Sequence, residues 1–242
     1  MSKEANRAPE AMADFFEARS GGYDEHMRRA VASFDAFYEA VAQPFTPTDD
    51  EVEILDLGCG TGLELGPIVE RAPNALITAV DLSAGMLARL RAKYAGRIGR
   101  LALVHESYLS WPMAEAGYDY VVAVMTLHHL LPDRKRALYA RIRRALRPGG
   151  IYVEGDWVVP PEKEAYYLQA YHERLAQVEE PEEGAYHLDI PFSLETQRRL
   201  LVEAGFAGVR VIWNKDEAAV YVARQARPGL AGSEEGEKDA GG

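Results

Sequence analysis

From Asp24 to Phe45, apolar residues at Met27, Ala30, Val31, Phe34, Phe37, Tyr38 and Val41 keep the spacing of one helix face. Residues 9–20 predict a shorter helix before it, broken by Gly21 and Gly22. The stretch PFTPTDD then ends the helical region. Beyond it the pattern changes to strands at 52–57, 76–80, 101–105, 119–125 and 151–156, with helices at 62–71, 83–95 and 133–146. Such alternation predicts parallel βαβ units and a sheet covered on both faces. RPGG at 147–150 separates the last of these helices from its strand. Residues 161–180 read as a helix rich in Tyr and Glu, followed by the irregular EEPEEGAYHLDIPF. SLETQRRLLVEAGF has a serine cap and a closing Gly205, and GVRVIWNKDEAAVYVAR alternates on both sides of a polar turn, as an edge hairpin does.

With 242 residues, 48% of them hydrophobic, the chain suits one α/β domain with an elaboration. Residues 1–50 are expected to form a helical cap and 51–226 the main domain, in which 157–193 is an insertion that serves as a lid or substrate wall. The Gly- and Glu-rich residues 227–242 are expected to be a disordered acidic tail. A net charge of −11 disfavours nucleic acid and anionic membranes as partners. No run reaches the roughly 18 apolar residues of a membrane span, and MSKEANRAPEAM lacks a signal-peptide core, so a cytoplasmic location is expected. The single cysteine, Cys59, allows no intramolecular disulfide, and its glycine neighbours read it as a small filler rather than a nucleophile.

The chemistry starts at VEILDLGCGTGLELG, where a strand ends in an acid, Asp56, and three glycines at alternate positions, Gly58, Gly60 and Gly62. Bare backbone there lets a ligand approach closely, and Asp56 suits a cation or a hydrogen-bond donor better than a bare phosphate. A dinucleotide-binding fingerprint wants glycine where Leu63 stands. Asp81 ends the second strand, where an acid can accept both hydroxyls of a ribose, in either class of cofactor.

These stretches resemble the class I S-adenosylmethionine-dependent methyltransferases. VEILDLGCGTG is similar to their first motif, AVDLSAGML to the second and VHESYLSWP to the third, and GYDYVVAVMTLHHL and LRPGGIYVEGD to the fourth and fifth. The likeness runs in order from residue 15 to 223. It implies a Rossmann-like, mostly parallel seven-stranded sheet with helices on both faces and a C-terminal antiparallel β-hairpin. It implies S-adenosylmethionine as cofactor, S-adenosylhomocysteine as product, and transfer of a methyl group to a small-molecule acceptor. By the same resemblance Asp56, Gly58, Gly60 and Gly62 frame the methionine end, Asp81 binds the ribose, and Leu82 and Met86 lie against the adenine or sugar. Val124 and Met125 pass beneath the cofactor, and Tyr23 folds over its methionine moiety. The third motif departs from the usual pattern, with Ser107 where many relatives carry aspartate, which leaves the adenine contact to Glu106 or to Ser107 with the Tyr108 backbone.

For the reaction itself His128 and His129 fall at the C-terminal end of a central strand, where open α/β sheets bind ligands. One of them could orient or deprotonate a substrate, and a structural role is the alternative. Glu154 and Asp156 share a face of the fifth strand; Asp156, nearer its end, is the better candidate for substrate contact or base, against a plain turn cap. Trp157, Tyr166, Tyr167, Tyr171 and Tyr186 could line an acceptor site or simply pack. No metal site can be assembled from oxygen ligands, and a homodimer is left open. A looser likeness to the enzymes of the wobble-uridine oxyacetate pathway raises a carboxylated cofactor as an alternative, and a non-catalytic S-adenosylmethionine sensor or partner subunit is another.

Overall fold

A computed structural model describes residues 9–179, 182 and 184–225. The expected tail, 227–242, lies outside them. Strands β1 (Glu53–Leu57), β2 (Leu76–Asp81), β3 (Arg100–His105), β4 (Tyr118–Val124), β5 (Leu146–Trp157), β6 (Ala207–Lys215) and β7 (Ala218–Arg224) form one sheet in the order β3-β2-β1-β4-β5-β7-β6. The first five run parallel, while β7 is antiparallel to both β5 and β6. The chain order reverses between β1 and β4, so the crevice for a ligand opens at the C-terminal ends of these two strands.

Period two along the strands divides the core. Ile54, Tyr120, Val122 and Val153 face a layer made of α3 (Phe34–Ala42), α4 (Leu65–Arg71) and α5 (Ala84–Lys93). Leu55, Leu57, Val121 and Tyr152 face α6 (Pro132–Ala145) and α8 (Leu194–Glu203). A smaller cluster joins α7 (Pro161–Leu175) to Leu188, Ile190 and Phe192. The N-terminal α1 (Met12–Arg19) and α2 (Tyr23–Ala30) reach the same end of the sheet. Among the described residues no helix is long and apolar enough to cross a membrane.

Three element boundaries differ from the periodicity reading, each for a backbone reason. The helix expected over 24–45 is two helices, because Val31 is extended and Ser33 is left-handed at φ 53°. The break lets Tyr23 reach the first glycine turn while α3 stays on the sheet. The helix expected from residue 62 starts at Leu65, since Gly62 is left-handed. Strand β5 starts at Leu146, five residues early, because Leu146 already pairs with Tyr118; the ladder then resumes at Ile151 opposite Tyr120, and RPGG bulges between them with Gly149 left-handed at φ 83°.

Helix α3 belongs to the sheet's core: Phe37, Val41 and Phe45 are fully buried, and a Cβ on Gly155 of β5 would lie 2.9 Å from both Phe37 and Val41. Phe37→Ala is expected to destabilise the whole domain by about 3–5 kcal/mol. In urea this gives one transition at a lower midpoint, whereas an independently folding N-terminal unit would give two.

Candidate active site

The turn after β1 is left-handed at each of its three glycines, with φ 68° at Gly58, 49° at Gly60 and 70° at Gly62. The reasons for the glycines differ. A Cβ on Gly58 would sit 2.2 Å from Thr126 Oγ1, so this residue makes room for the chain beyond β4 rather than for a ligand. At Gly60 the nearest atom, on the Tyr23 ring, is 3.7 Å away, and it is here that the backbone stays open. The Gly60 N–H donates to Asp81 Oδ2 and the Ser83 N–H to Asp81 Oδ1, each at 2.8 Å, which ties the turn to the end of β2. Thr61 donates to Asp24, whose other oxygen is 2.6 Å from Lys93 Nζ, so the start of α2 is fastened over the turn.

Asp56 is fully buried, and among the described residues neither of its oxygens, nor Glu64 Oε1, has a donor. Burial, then the neighbouring Glu64, pushes the Asp56 carboxyl well above its usual range. Two buried acids short of donors fit a positively charged guest, and an amino acid's ammonium supplies both charge and N–H groups.

The other cofactor candidates gather around the same crevice. Leu82 offers its carbonyl to His105 Nε2 at 2.9 Å, and Met86 is buried on α5 with its N–H on Ser83 Oγ. Glu17 of α1 accepts from Ser83 Oγ at 2.6 Å and the Gly85 N–H at 2.8 Å, bringing α1 over the start of α5. Glu106 is exposed, Ser107 Oγ accepts the Leu109 N–H, and the Tyr108 hydroxyl donates to the Thr126 carbonyl. Val124 ends β4, and Met125, left-handed at φ 50°, donates its N–H to Gly155 O.

A 3-10 turn, Leu127–His129, presents both histidines beside this crevice. His128 Nδ1 lies 2.6 Å from Asp156 Oδ1; a carboxylate only accepts, so Nδ1 carries the proton and Nε2 is left for the cavity. Asp156 accepts the Trp157 N–H as well, and it stands behind His128, not on the cavity wall. Asp189 faces three imidazoles, at 3.2 Å from His129 Nδ1, 3.7 Å from His128 Nε2 and 4.0 Å from His187 Nε2. Burial opposes protonation of His128, but the Asp156 charge and hydrogen bond outweigh it and raise its pKa above the ordinary 6.5. Burial likewise works against ionisation of Asp156, yet His128 and then Lys135 hold its pKa below normal. Burial lowers His129, and it lowers His187 to about 3, so these two are neutral.

The cavity in front has a volume of about 1020 Å³, with walls that include Phe16, Tyr23, Met27, Met125, His128 and Trp157. Of the aromatics picked out from Trp157 onward, Trp157 lines it, whereas Tyr166 is 70% exposed and Tyr171 packs from α7 into the cluster with Leu188, Ile190 and Phe192. Buried Cys59, its thiol pushed up by burial, is a filler. Sequence reasoning missed Glu64, Lys135, His187 and Asp189. His187 and Asp189 stand two apart in an irregular stretch, and Lys135 sits in a helix that reads as charged.

The strand order, the left-handed glycine turn and the buried acids at the ends of β1 and β2 define an α/β enzyme built around a nucleoside-linked cofactor. Residues 54–150 match the family described as Methyltransferase domain. A malonyl-[acyl-carrier protein] O-methyltransferase of Geobacter sulfurreducens is 30% identical over 206 residues, covering 80% of this chain and 72% of that one. A carboxy-S-adenosyl-L-methionine synthase of Wolinella succinogenes is 26% identical over 226 residues, 88% of this chain and 93% of that one. In fold, the chain is similar to DhpI solved with S-adenosylhomocysteine, with a TM-score of 0.66 at 19% identity over 88% of this chain and 95% of that one. The chain belongs to the class I S-adenosylmethionine-dependent methyltransferases, and S-adenosylmethionine is its cofactor.

Gly58→Ala is expected to cost more than about 1 kcal/mol of stability, from the strained φ and the clash with Thr126. Adding Thr126→Ala removes the clash and should return part of that loss in a denaturation cycle; strictly additive losses would contradict the contact.

Proposed function

We propose that the enzyme methylates a small acceptor that loses a proton as it reacts, a hydroxyl compound by preference, and that His128 takes this proton. The observation that carries the reading is the 2.6 Å hydrogen bond from His128 Nδ1 to buried Asp156 at the mouth of β4 and β5. It fixes one tautomer and turns the basic nitrogen to the cavity side. When bound, S-adenosylmethionine supplies a methyl group already activated by a sulfonium, so the chain's tasks are alignment, exclusion of water and removal of the acceptor's proton. Asp56 would hold the methionine ammonium beside the open backbone at Gly60, Asp81 the ribose hydroxyls, and Leu82 and Met86 the flanks of the adenosyl group. Tyr23, clamped over the glycine turn through Asp24, would separate the methionine end from solvent.

One observation favours a second reading. The carboxy-S-adenosyl-L-methionine synthase of Wolinella succinogenes aligns over nearly the full chain. Against it, the acidic walls of the cavity, Asp189, Asp216 and Glu217, outnumber Arg19, which is itself paired to Glu10 at 2.9 Å. A carboxylate beside the sulfonium wants the opposite balance. Incubation with candidate acceptors and mass spectrometry of the products separates the two readings: a methylated acceptor with S-adenosylhomocysteine supports the first, a carboxylated cofactor the second.

Asp81→Ala is expected to weaken S-adenosylmethionine binding at least about tenfold, or about 1.4 kcal/mol, in isothermal titration; unchanged affinity would remove Asp81 from the site. For the base, the working form is neutral His128, so kcat/KM should fall as pH drops through a pKa above 6.5. His128→Asn should lower kcat by about 100-fold or more and abolish this acid limb. Asp156→Asn should move the limb to lower pH, since a carboxylate that favours the imidazolium is gone.

A further inference from the structure

Behind the histidine lies a buried charge that methyl transfer does not by itself require. Lys135, on α6, is fully buried, a rare state for lysine without a partner. Its Nζ is 3.3 Å from Glu154 Oε1 and 3.9 Å from Asp156 Oδ2, with no hydrogen bond of proper direction among the described residues. Glu154 is occupied elsewhere: the hydroxyls of Tyr139 and Tyr152 donate to its Oε2, each at 2.7 Å, and that of Tyr221 to its Oε1 at 2.5 Å. Lys135 therefore acts on this cluster as a point charge. Charges of alternating sign run from Glu154 to Lys135, to Asp156 and on to His128, all of them buried or nearly so, where Coulomb interactions are weakly screened.

We propose that Lys135 and Glu154 are positioning residues for the reaction, which from behind the strand set how readily His128 takes up and releases a proton through Asp156. The proposal rests on the reading of His128 as the base. Asp156, paired to His128, favours the imidazolium. Lys135 opposes this by drawing on the same carboxylate, and Glu154 moderates Lys135. The remaining groups facing His128 are Asp189 and His187 from the segment after α7 and His129 of its own turn. None of them changes in the variants below. A core network that merely holds α6 to β5 would have no reason to move the titration of His128 in opposite directions.

The test is the titration of the His128 imidazole by NMR in the full chain, its signal assigned by loss in His128→Asn, alongside kcat/KM against pH. Lys135→Met is expected to raise the midpoint by about half a unit or more, with the acid limb of kcat/KM following. Glu154→Gln keeps the shape of the tyrosine cage and removes the negative charge facing Lys135, so the midpoint should fall; the double variant should return towards the parent. Midpoints that stay put, or move the same way in both single variants, overturn the proposal. Should Lys135→Met not fold, Glu154→Gln decides, and an unmoved or raised midpoint overturns it. If midpoints shift as expected while His128→Asn keeps full activity, it is the base reading that fails, because the charges then tune a histidine the reaction does not use.

Discussion

The close packing of Gly58 on Thr126 joins the two halves of the site. Where a side chain would begin on Gly58, Thr126 Oγ1 already stands, 2.2 Å from the place a Cβ would take. The glycine turn that closes β1 is thus seated directly against the residue before the Leu127–His129 turn. The Tyr108 hydroxyl, donating to the Thr126 carbonyl, brings the loop after β3 to the same point. This contact fixes where the glycine turn stands relative to the His128–Asp156 pair, and in a group transfer an ångström of misplacement costs much of the rate. Only at Gly60 does the turn leave its backbone open, and there Asp81 holds it from one side while Tyr23 stands off on the other.

The second organising feature is the way charge is carried into the sheet. Asp56, Glu154 and Asp156 are all fully buried, each near the C-terminal end of a central strand. Their surroundings divide their work. Glu154 is saturated by three tyrosine hydroxyls and a lysine, and stays inside the core. Asp156 has one oxygen committed to His128 and the other facing Lys135, so it transmits charge to the cavity without reaching it. Asp56, short of donors, is the acid that a cationic guest would satisfy. Three similar side chains in similar strands differ in role because of their partners, which period-two alternation alone does not reveal.

What local pattern decides was legible: the βαβ alternation, the hairpin, the glycine turn with its flanking acids, and the histidine pair. What depends on chain meeting chain was not. Periodicity runs unbroken from Met27 to Val41, and nothing in it marks the left-handed Ser33 where the helix divides. Lys135 was hidden by a helix dense in arginine, although Leu138, Tyr139 and Ile142 stand three, four and seven residues on and place it on the inward face. Glu64 carried no signal inside a helix expected from residue 62; the helix starts at Leu65, and Glu64 just before it is buried beside Asp56. His187 and Asp189 lie in a stretch without period, where no rule of alternation applies.

The origin of the cavity walls explains why the family is clear and the acceptor is a matter of separate argument. Residues 54–150, which match the methyltransferase family, hold the glycine turn and Asp81, and from this span Met125, His128 and His129 line the cavity. The other walls come from outside this span: residues 15–32 of the N-terminal helices, Trp157, His187 with Asp189, and Asp216 to Ala218 of the hairpin turn. These outer pieces are also fastened to each other. Ala11 bridges to Tyr186, the Met12 N–H donates to Ala185 O, the His187 N–H to Glu10 O, and the His187 ring stacks on Phe15 at 3.4 Å. The N-terminal segment and the segment after α7 thus make one roof. Changes in that roof away from Glu17 and Asp24 recast the cavity while leaving the ties to Ser83, Thr61 and Lys93 in place. The cavity's outer walls thus belong to the roof, while the sheet and the loops at its end carry the glycine turn, Asp56, Asp81 and the His128–Asp156 pair.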